Sequence, residues 1–309
     1  KKIVNQSNLP NLKLFHSKIN GGPAVARNIG IDHARGEYIF FLDVDDTISK
    51  SCLKTLYNEA KDGNFDLVLG DKQLIKDNKR QRINYYAYDA EKVFNQNEIT
   101  NEIKKRIYDP SYSHGLIGVT GRLIKNSIVI KNNLKFQNSL RYLEDETFSW
   151  DILSFCNKIR YIRKRLYNYY VHTNFNSGIS DGISRGFSIQ NYKTLKKHVF
   201  NCFLKRNLSN ENSLKLADQA FIFSIISSLI SYSRSIILGK VDISEGRKKR
   251  KKLIEDILND RDVHKAVKNY LHSKSENKWI PLAIRWKSKI LLEFMCDRRV
   301  KEILNTRGY

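Results

Sequence analysis

Three carboxylates, Asp43, Asp45 and Asp46, follow an apolar run at residues 39–42 with only Val44 among them. Such a run reads as a strand, and the carboxyl end of a strand is where open α/β sheets present their ligands. Two carboxylates one residue apart can share a divalent cation, which in turn can neutralise a diphosphate. A turn capping the helix after Thr47 is the purely structural alternative, and it accounts for one Asp rather than three. A second acidic group, Glu144, Asp145 and Glu146, is crowded enough for mutual repulsion to raise the proton affinity of one member, as a general base requires. The same group would suit the first turn of a helix. Arg27 lies in a helix-like segment directly behind the turn Asn20-Gly21-Gly22, where anions dock, with a surface ion pair as the alternative. His172 ends an aromatic strand-like run and reads either as a ligand or as a structural histidine.

These residues need a scaffold, and up to about residue 180 short apolar runs alternate with helix-like segments, the pattern of an α/β fold. KLFHS near Leu14, EYIFFLD ending at Asp43, DLVLGD ending at Asp71 and IRYIRKRLYNYYVH ending at His172 are predicted strands. Residues 24–34 and 51–61 are predicted helices, the second behind the cap-type residues Ser49 and Ser51. From Phe187 onward the pattern is helical throughout, which sets a boundary between residues 1–186 and 187–309. Within the second part, ADQAFIFSIISSLISYSRSIIL (217–238) is interrupted by Asp218, Gln219, Arg234 and several serines, and is predicted to be a buried helix rather than a membrane span. GRKKRKK (246–252) is either a solvated helix start or a contact for an anionic surface. In KWIPLAIRWKSKILLEF (278–294), Trp279, Ala283, Trp286, Ile290 and Phe294 recur at three- and four-residue steps and are predicted to share one helix face, suited to a membrane surface or to the core.

Composition narrows the partners. The 309 residues carry 55 Lys+Arg against 32 Asp+Glu, a net charge of +23 that points to an anionic partner. Four widely spaced cysteines, Cys52, Cys156, Cys202 and Cys296, give neither a zinc-ribbon spacing nor a disulfide framework, so a reducing cytoplasm is expected. The sequence starts at Lys1, contains only Met295 and has no basic-then-apolar leader, so it is expected to be a fragment or a processed chain.

The stretch NGGPAVARNIGIDHARGEYIFFLDVDD (20–46) resembles the central signature of family 2 glycosyltransferases of the GT-A fold, and GRLIKNSIVIKNNLKF (121–136), YLEDETF (142–148) and YNYYVHTNFNSGIS (167–180) resemble the second half of that pattern. The resemblance implies an α/β GT-A, Rossmann-like nucleotide-sugar-binding domain over residues 1–186, N-terminally incomplete because the family's opening strand and Asp-Asp-Gly-Ser segment have no counterpart, followed by a helical, basic C-terminal region over 187–309. By that resemblance Asn20, Arg27 and Asp43 contact the donor, Asp45 and His172 hold Mn²⁺ or Mg²⁺, Asp145 is the base and Glu144 orients the acceptor. The activity implied is inverting, metal-dependent transfer of a sugar from a nucleotide-sugar, with a UDP-sugar the expected donor. The acceptor is a hydroxyl of a glycan or lipid-linked molecule in bacterial capsule, teichoic acid or lipopolysaccharide synthesis. The enzyme is expected in the cytoplasm or at the inner face of the plasma membrane, with an anionic membrane surface as a further partner and no nucleic acid.

Two other readings compete. FFLDVDDTI fits the DxDxT run of haloacid dehalogenase-like phosphatases, with Asp43 as nucleophile and Asp45 as acid. VLGDK at residues 68–72, however, comes too soon to end such a core. The charge and 16 tyrosines would also suit a basic nucleic-acid-binding protein, but no zinc-finger, RNP-like or helix-turn-helix signal accompanies them.

Overall fold

The structure, a computed structural model, describes residues 11–76, 79–80, 88–108, 115–140, 142–171, 187–272 and 276–306. A helix α1 (Gly22–His33) leads to strand β1 (Tyr38–Phe40), and the acidic loop then leads to β2 (Thr47–Ile48) and helix α2 (Cys52–Gly63). Next come β3 (Leu67–Lys76), β4 (Lys79–Arg80), β5 (Lys92–Phe94), α3 (Gln96–Tyr108), β6 (Arg122–Lys125), α4 (Asn126–Lys131), α5 (Glu144–Leu153) and β7 (Ile159–Val171).

The strands form one mixed sheet in the order β1-β6-β3-β7-β2, with β4 beside β3 and β5 beside β7. Only the long central pair β3 and β7 is parallel among the ladders, and β6 runs antiparallel to both of its neighbours. Residues 67–70 of β3 are buried without alternation because both faces of the sheet are covered. Val68 faces the small cluster of Cys52, Leu56 and Ala60 on α2, while Leu67 and Leu69 face the main core with Phe41, Phe148 and Trp150. The β3–β7 register shifts on either side of Asp71. Such a bulge re-aims the side chains that follow it, and Lys72 is the first of them.

From residue 187 the described chain is helical: α6 (Ile189–Lys205), α7 (Asn210–Ile237), α8 (Ile243–Asn259), α9 (Arg261–Val267), α10 (Trp279–Arg285) and α11 (Lys289–Thr306). Ser188, Ser209, Asp242 and Asp260 each accept a backbone N–H at the start of α6, α7, α8 and α9, which explains why the helices begin there. These helices share the sheet's core, since Phe203, Phe221 and Leu229 join the same apolar cluster as Phe148 and Ile159. Buried Arg206 ties the two parts together: its guanidinium donates to the carbonyls of Leu153, Cys156 and Gln96 and to Thr100 Oγ1.

Helix α7 is long and apolar enough to cross a membrane by length and composition, yet 56% of its most apolar window is buried inside the protein. It is a core helix here, as its interrupting polar residues suggest. All four cysteines are free and buried.

Several local expectations change. The KLFHS run forms no strand, for residues 12–17 have no ladder partner. Neither Ser49 nor Ser51 caps α2 with its side chain; Ser51 is the N-cap residue but makes no such bond. GRKKRKK is not a helix start: it lies within α8, with Gly246 and Arg250 buried. The apolar run after Lys278 is two helices rather than one, because Lys287 takes a left-handed φ of 55° and breaks the chain between α10 and α11. Ala283 consequently faces the core while the four larger residues of the expected face stay exposed.

Candidate active site

The acidic loop leaves β1 and is pinned from below by β7. Tyr167 donates its hydroxyl to Asp46 Oδ2 at 2.5 Å and accepts the backbone N–H of Asp43 at 3.3 Å, while Tyr170 N–H donates to Asp46 Oδ1 at 3.0 Å. Asp46 is therefore buried and its two oxygens are engaged, so it anchors the loop. Burial, partly offset by those hydrogen bonds, raises its pKa above the ordinary aspartate range. Asp43 is half-buried and Asp45 exposed.

Arg27 joins this loop to the second acidic group. From the first turns of α1 its guanidinium reaches Asp43 Oδ1 at 2.9 Å and Glu144 Oε1 at 3.3 Å, and it lies over the Phe136 ring at 5.4 Å. Burial works against its charge, but Asp43, Glu144 and Asp145 outweigh that and raise its pKa. The helix is set in place by the next residue: Asn28 donates to Phe136 O and accepts from Phe136 N–H, both at 2.8 Å. Phe136 in turn stacks on Phe148 of α5, with ring centroids 3.9 Å apart. Thus Asn28 of the Ala-Arg-Asn run is a clamp beneath the site.

Glu144, Asp145 and Glu146 form the first turn of α5, where acidic side chains are favoured by the helix dipole. The turn is entered through Leu143, a buried leucine at φ 71°, in a region that costs a non-glycine residue on the order of 1–3 kcal/mol. Burial and the neighbouring Asp145 raise the pKa of Glu144 despite its bond to Arg27. Glu146 is raised as well, by burial first and by Asp145, with Arg106 opposing. The group starts a helix, and Asp145 within it stands exposed at a cavity wall.

That cavity, about 280 Å³, is lined by Arg27, Asp43, Asp145 and Glu146 together with Lys72, Arg106, Tyr169 and the loop at residues 117–120. The loop is held by fully buried Arg122, which donates to the carbonyls of Leu116, Gly115 and Ile117, and by Gly118 N–H, which donates to Ser149 Oγ at 2.9 Å. Lys72 enters the sequence reading only as the end of VLGDK in the phosphatase alternative, not as a residue of this site. In the fold it is buried beyond the β3 bulge, donates to Thr120 Oγ1 at 2.8 Å and lies 5.4 Å from the Tyr167 ring centroid. Burial first, and Arg122 next, pull its pKa down to about 7, against Asp145, Asp46 and Asp43.

Of the sequence candidates, Arg27, Asp43 and Asp145 line this cavity; Glu144 is joined to it through Arg27, and Asp45 is exposed outside its lining. Asn20 does not line this cavity; it lines a separate groove of about 390 Å³ along α1, and its Oδ1 accepts Gly22 N–H at 3.2 Å. His172 lies outside the described residues. Among the described residues no three His, Cys, Asp or Glu side chains are grouped to hold a metal ion. Two carboxylates, Asp43 and Asp45, still fit a hard cation that takes its other ligands from phosphates and water, the usual arrangement for Mg²⁺.

Residues 1–125 match the family model described as glycosyl transferase family 2. Poly(ribitol-phosphate) β-N-acetylglucosaminyltransferase TarP of Staphylococcus aureus is 29% identical over 181 residues, covering 58% of this chain and 51% of that protein. The glycosyltransferase GlyG of Streptococcus pneumoniae is 29% identical over 161 residues, 51% of this chain and 52% of that protein. The matched stretch thus spans about half the length of these relatives. Among solved structures, S. aureus TarS 1–349 in complex with UDP-GlcNAc superposes with a TM-score of 0.63 at 18% identity, over 94% of this chain and 76% of that one. At that identity the likeness shows the fold. The match in family and fold sets aside the phosphatase reading of the DVDDT run.

Proposed function

We propose, from the family 2 glycosyltransferase match over residues 1–125 and the GT-A fold, that the chain is an inverting sugar transferase of that family acting in bacterial cell-surface polysaccharide synthesis. The donor is a nucleotide-sugar, with UDP-sugars first, as in the TarS complex with UDP-GlcNAc. The acceptor is a hydroxyl of a glycan or lipid-linked polymer. A phosphate-bearing polyol chain is favoured by the net charge of +23 and by the poly(ribitol-phosphate) named for the S. aureus relative. Free buried cysteines and a nucleotide-sugar donor suit the cytoplasmic side of the membrane.

The single observation that carries this reading is the Arg27 bridge, which joins Asp43 at the strand end to Glu144 in the first turn of α5 beside a cavity that Arg27, Asp43 and Asp145 line. In the proposed step the acceptor oxygen attacks the anomeric carbon from the side opposite the diphosphate, Asp145 takes the hydroxyl proton, and the bond to the phosphate oxygen breaks with its electron pair leaving on the nucleoside diphosphate. One displacement inverts the anomeric configuration. Glu144, already held by Arg27, orients the acceptor, while Arg27 and Lys72 face the leaving diphosphate. Asp43 and Asp45 would hold Mn²⁺ or Mg²⁺, which supplies Lewis-acid stabilisation of the diphosphate when bound; His172 is retained as a further ligand on the family resemblance alone.

The test is nucleotide release by the full-length protein from UDP-, GDP- and CDP-sugars, with Mn²⁺, with Mg²⁺ and with chelator. Cation-dependent release from UDP-sugars is expected. Neither binding nor release with any nucleotide-sugar would refute the proposal.

A further inference from the structure

The C-terminal helices leave an apolar surface that the core does not explain. Trp279, Trp286, Ile290 and Phe294 are 42%, 58%, 84% and 60% exposed, although each flanks residues that are fully buried, such as Ala283, Ile284 and Leu292. Ile290 and Phe294, four residues apart in α11, share one side of that helix, and Trp286 is the C-cap residue of α10 just before the break. The opposite side of α11 is the one that packs, through Leu292, Met295, Cys296 and Val300. Exposed large aromatic and aliphatic side chains on two successive helices are expensive in water and mark a surface that meets something.

Its surroundings are basic. Lys278 lies 5.7 Å from the Trp279 ring centroid, and Lys287, Arg298 and Lys301 are exposed along the same helices. Helix α8 brings its basic run alongside: Arg250 donates to Ser233 and binds Asp297 of α11, and Lys289 of α11 binds Glu255 of α8. With α8 docked this way, Arg247, Lys248, Lys251 and Lys252 remain exposed. Of the acidic side chains of α11, Asp297 is held by Arg250 and Glu302 by Arg298 and Arg299, and half-buried Glu293 lies next to Phe294 in the chain.

We propose that Trp279, Trp286, Ile290 and Phe294, with the exposed cations of α8, α10 and α11, form a docking surface for an anionic lipid bilayer. The chemistry favours this occupant over a second protein. Two tryptophans beside lysines match the headgroup region, where an amphipathic ring keeps one end wet, and aliphatic groups between them reach the acyl boundary. Surplus cations in a chain of net charge +23 complement anionic headgroups and would repel a second copy of the same face. The surface is independent of the sugar-transfer reading, and its test does not use activity.

Sedimentation with phosphatidylcholine vesicles, with and without phosphatidylglycerol, at low and high salt reads it directly. Binding is expected only with phosphatidylglycerol and is expected to fall with salt. Trp150 is buried, so Trp279 and Trp286 report lipid contact through quenching by brominated acyl chains. The triple variant W286S/I290S/F294S changes exposed positions and is expected to keep the parent's circular dichroism while losing roughly tenfold or more in vesicle affinity. Neutralising Lys248, Lys251 and Lys252 to Gln is expected to flatten the salt dependence. Absence of vesicle binding, equal binding by the folded triple variant, or a parent dimer that the triple variant converts to monomer without any vesicle binding would each overturn the proposal.

Discussion

Replacing Lys72 by Met separates what the site needs from what the fold would prefer. The lysine is buried against Thr120 with its pKa pulled from 10.5 down to about 7. In the unfolded chain it stays protonated up to about 10.5, so between pH 7 and 10.5 the unfolded state holds a proton that the native state lacks. Native stability therefore rises with pH across that window; below pH 7 both states are protonated, the slope vanishes, and the cost of burying the charge is fully present. A drop of about 3.5 at about 1.4 kcal/mol per pH unit amounts to on the order of 5 kcal/mol. Losing the bond to Thr120 takes back about 1 kcal/mol. K72M is thus expected to be more stable than the parent by several kcal/mol near pH 6, with an advantage that shrinks towards pH 10. Urea unfolding midpoints at both ends of this range measure it. Donor affinity should move the other way, since a buried cation facing the diphosphate is lost, and UDP binding by calorimetry is expected to weaken at least tenfold. A difference in stability that is independent of pH, or a variant less stable than the parent at pH 6, would refute this reasoning.

Three further substitutions probe the loop and the cavity floor. Tyr167→Phe removes the donor to buried Asp46 and the acceptor for Asp43 N–H, and is expected to cost about 1–3 kcal/mol in thermal unfolding and to weaken UDP binding; unchanged binding would show that the loop is held elsewhere. Gly121→Ala forces a side chain into φ +69°, with Tyr167 Cβ at 3.1 Å and Lys72 Cε at 3.3 Å from the new atom, so a loss of about 2 kcal/mol is expected in chemical denaturation. Asp45→Ala is expected to abolish the dependence of UDP-sugar binding on Mn²⁺ while leaving the melting temperature of the unliganded protein within a degree or two, since the side chain is exposed; calorimetry with and without Mn²⁺ checks it.

Much of the scaffold was legible because periodicity and motif agreed. The strands ending at Asp43, Asp71 and the aromatic run before His172, and the helices behind Gly22 and Ser51, all form. Arg27, Asp43, Glu144 and Asp145 are candidates from residue type, position and family resemblance, and the fold brings them together through the Arg27 bridge and the cavity beside it. Lys72 escaped because nothing local marks a lysine as buried; a bulge against β7 places it, and β7 is more than eighty residues away in the chain. The anchoring role of Asp46 was not legible because its partners, Tyr167 and the Tyr170 backbone, belong to that same distant strand. Helix periodicity carried the face of Trp279 and Phe294 straight through Lys287, whose left-handed turn no pattern of apolar residues announces. Arg250 read as one cation in a run until Asp297 and Ser233 gave it a buried place.

Turnover of a UDP-sugar by the Asp145→Asn variant, with donor affinity measured in parallel, tests the central claim most directly. The amide keeps the shape of the side chain at the cavity wall but cannot take up the acceptor's proton. Donor affinity is expected to stay within about twofold of the parent, while turnover falls about a hundred- to ten-thousand-fold. Near-parental turnover by Asp145→Asn would contradict the account and move the base to another residue.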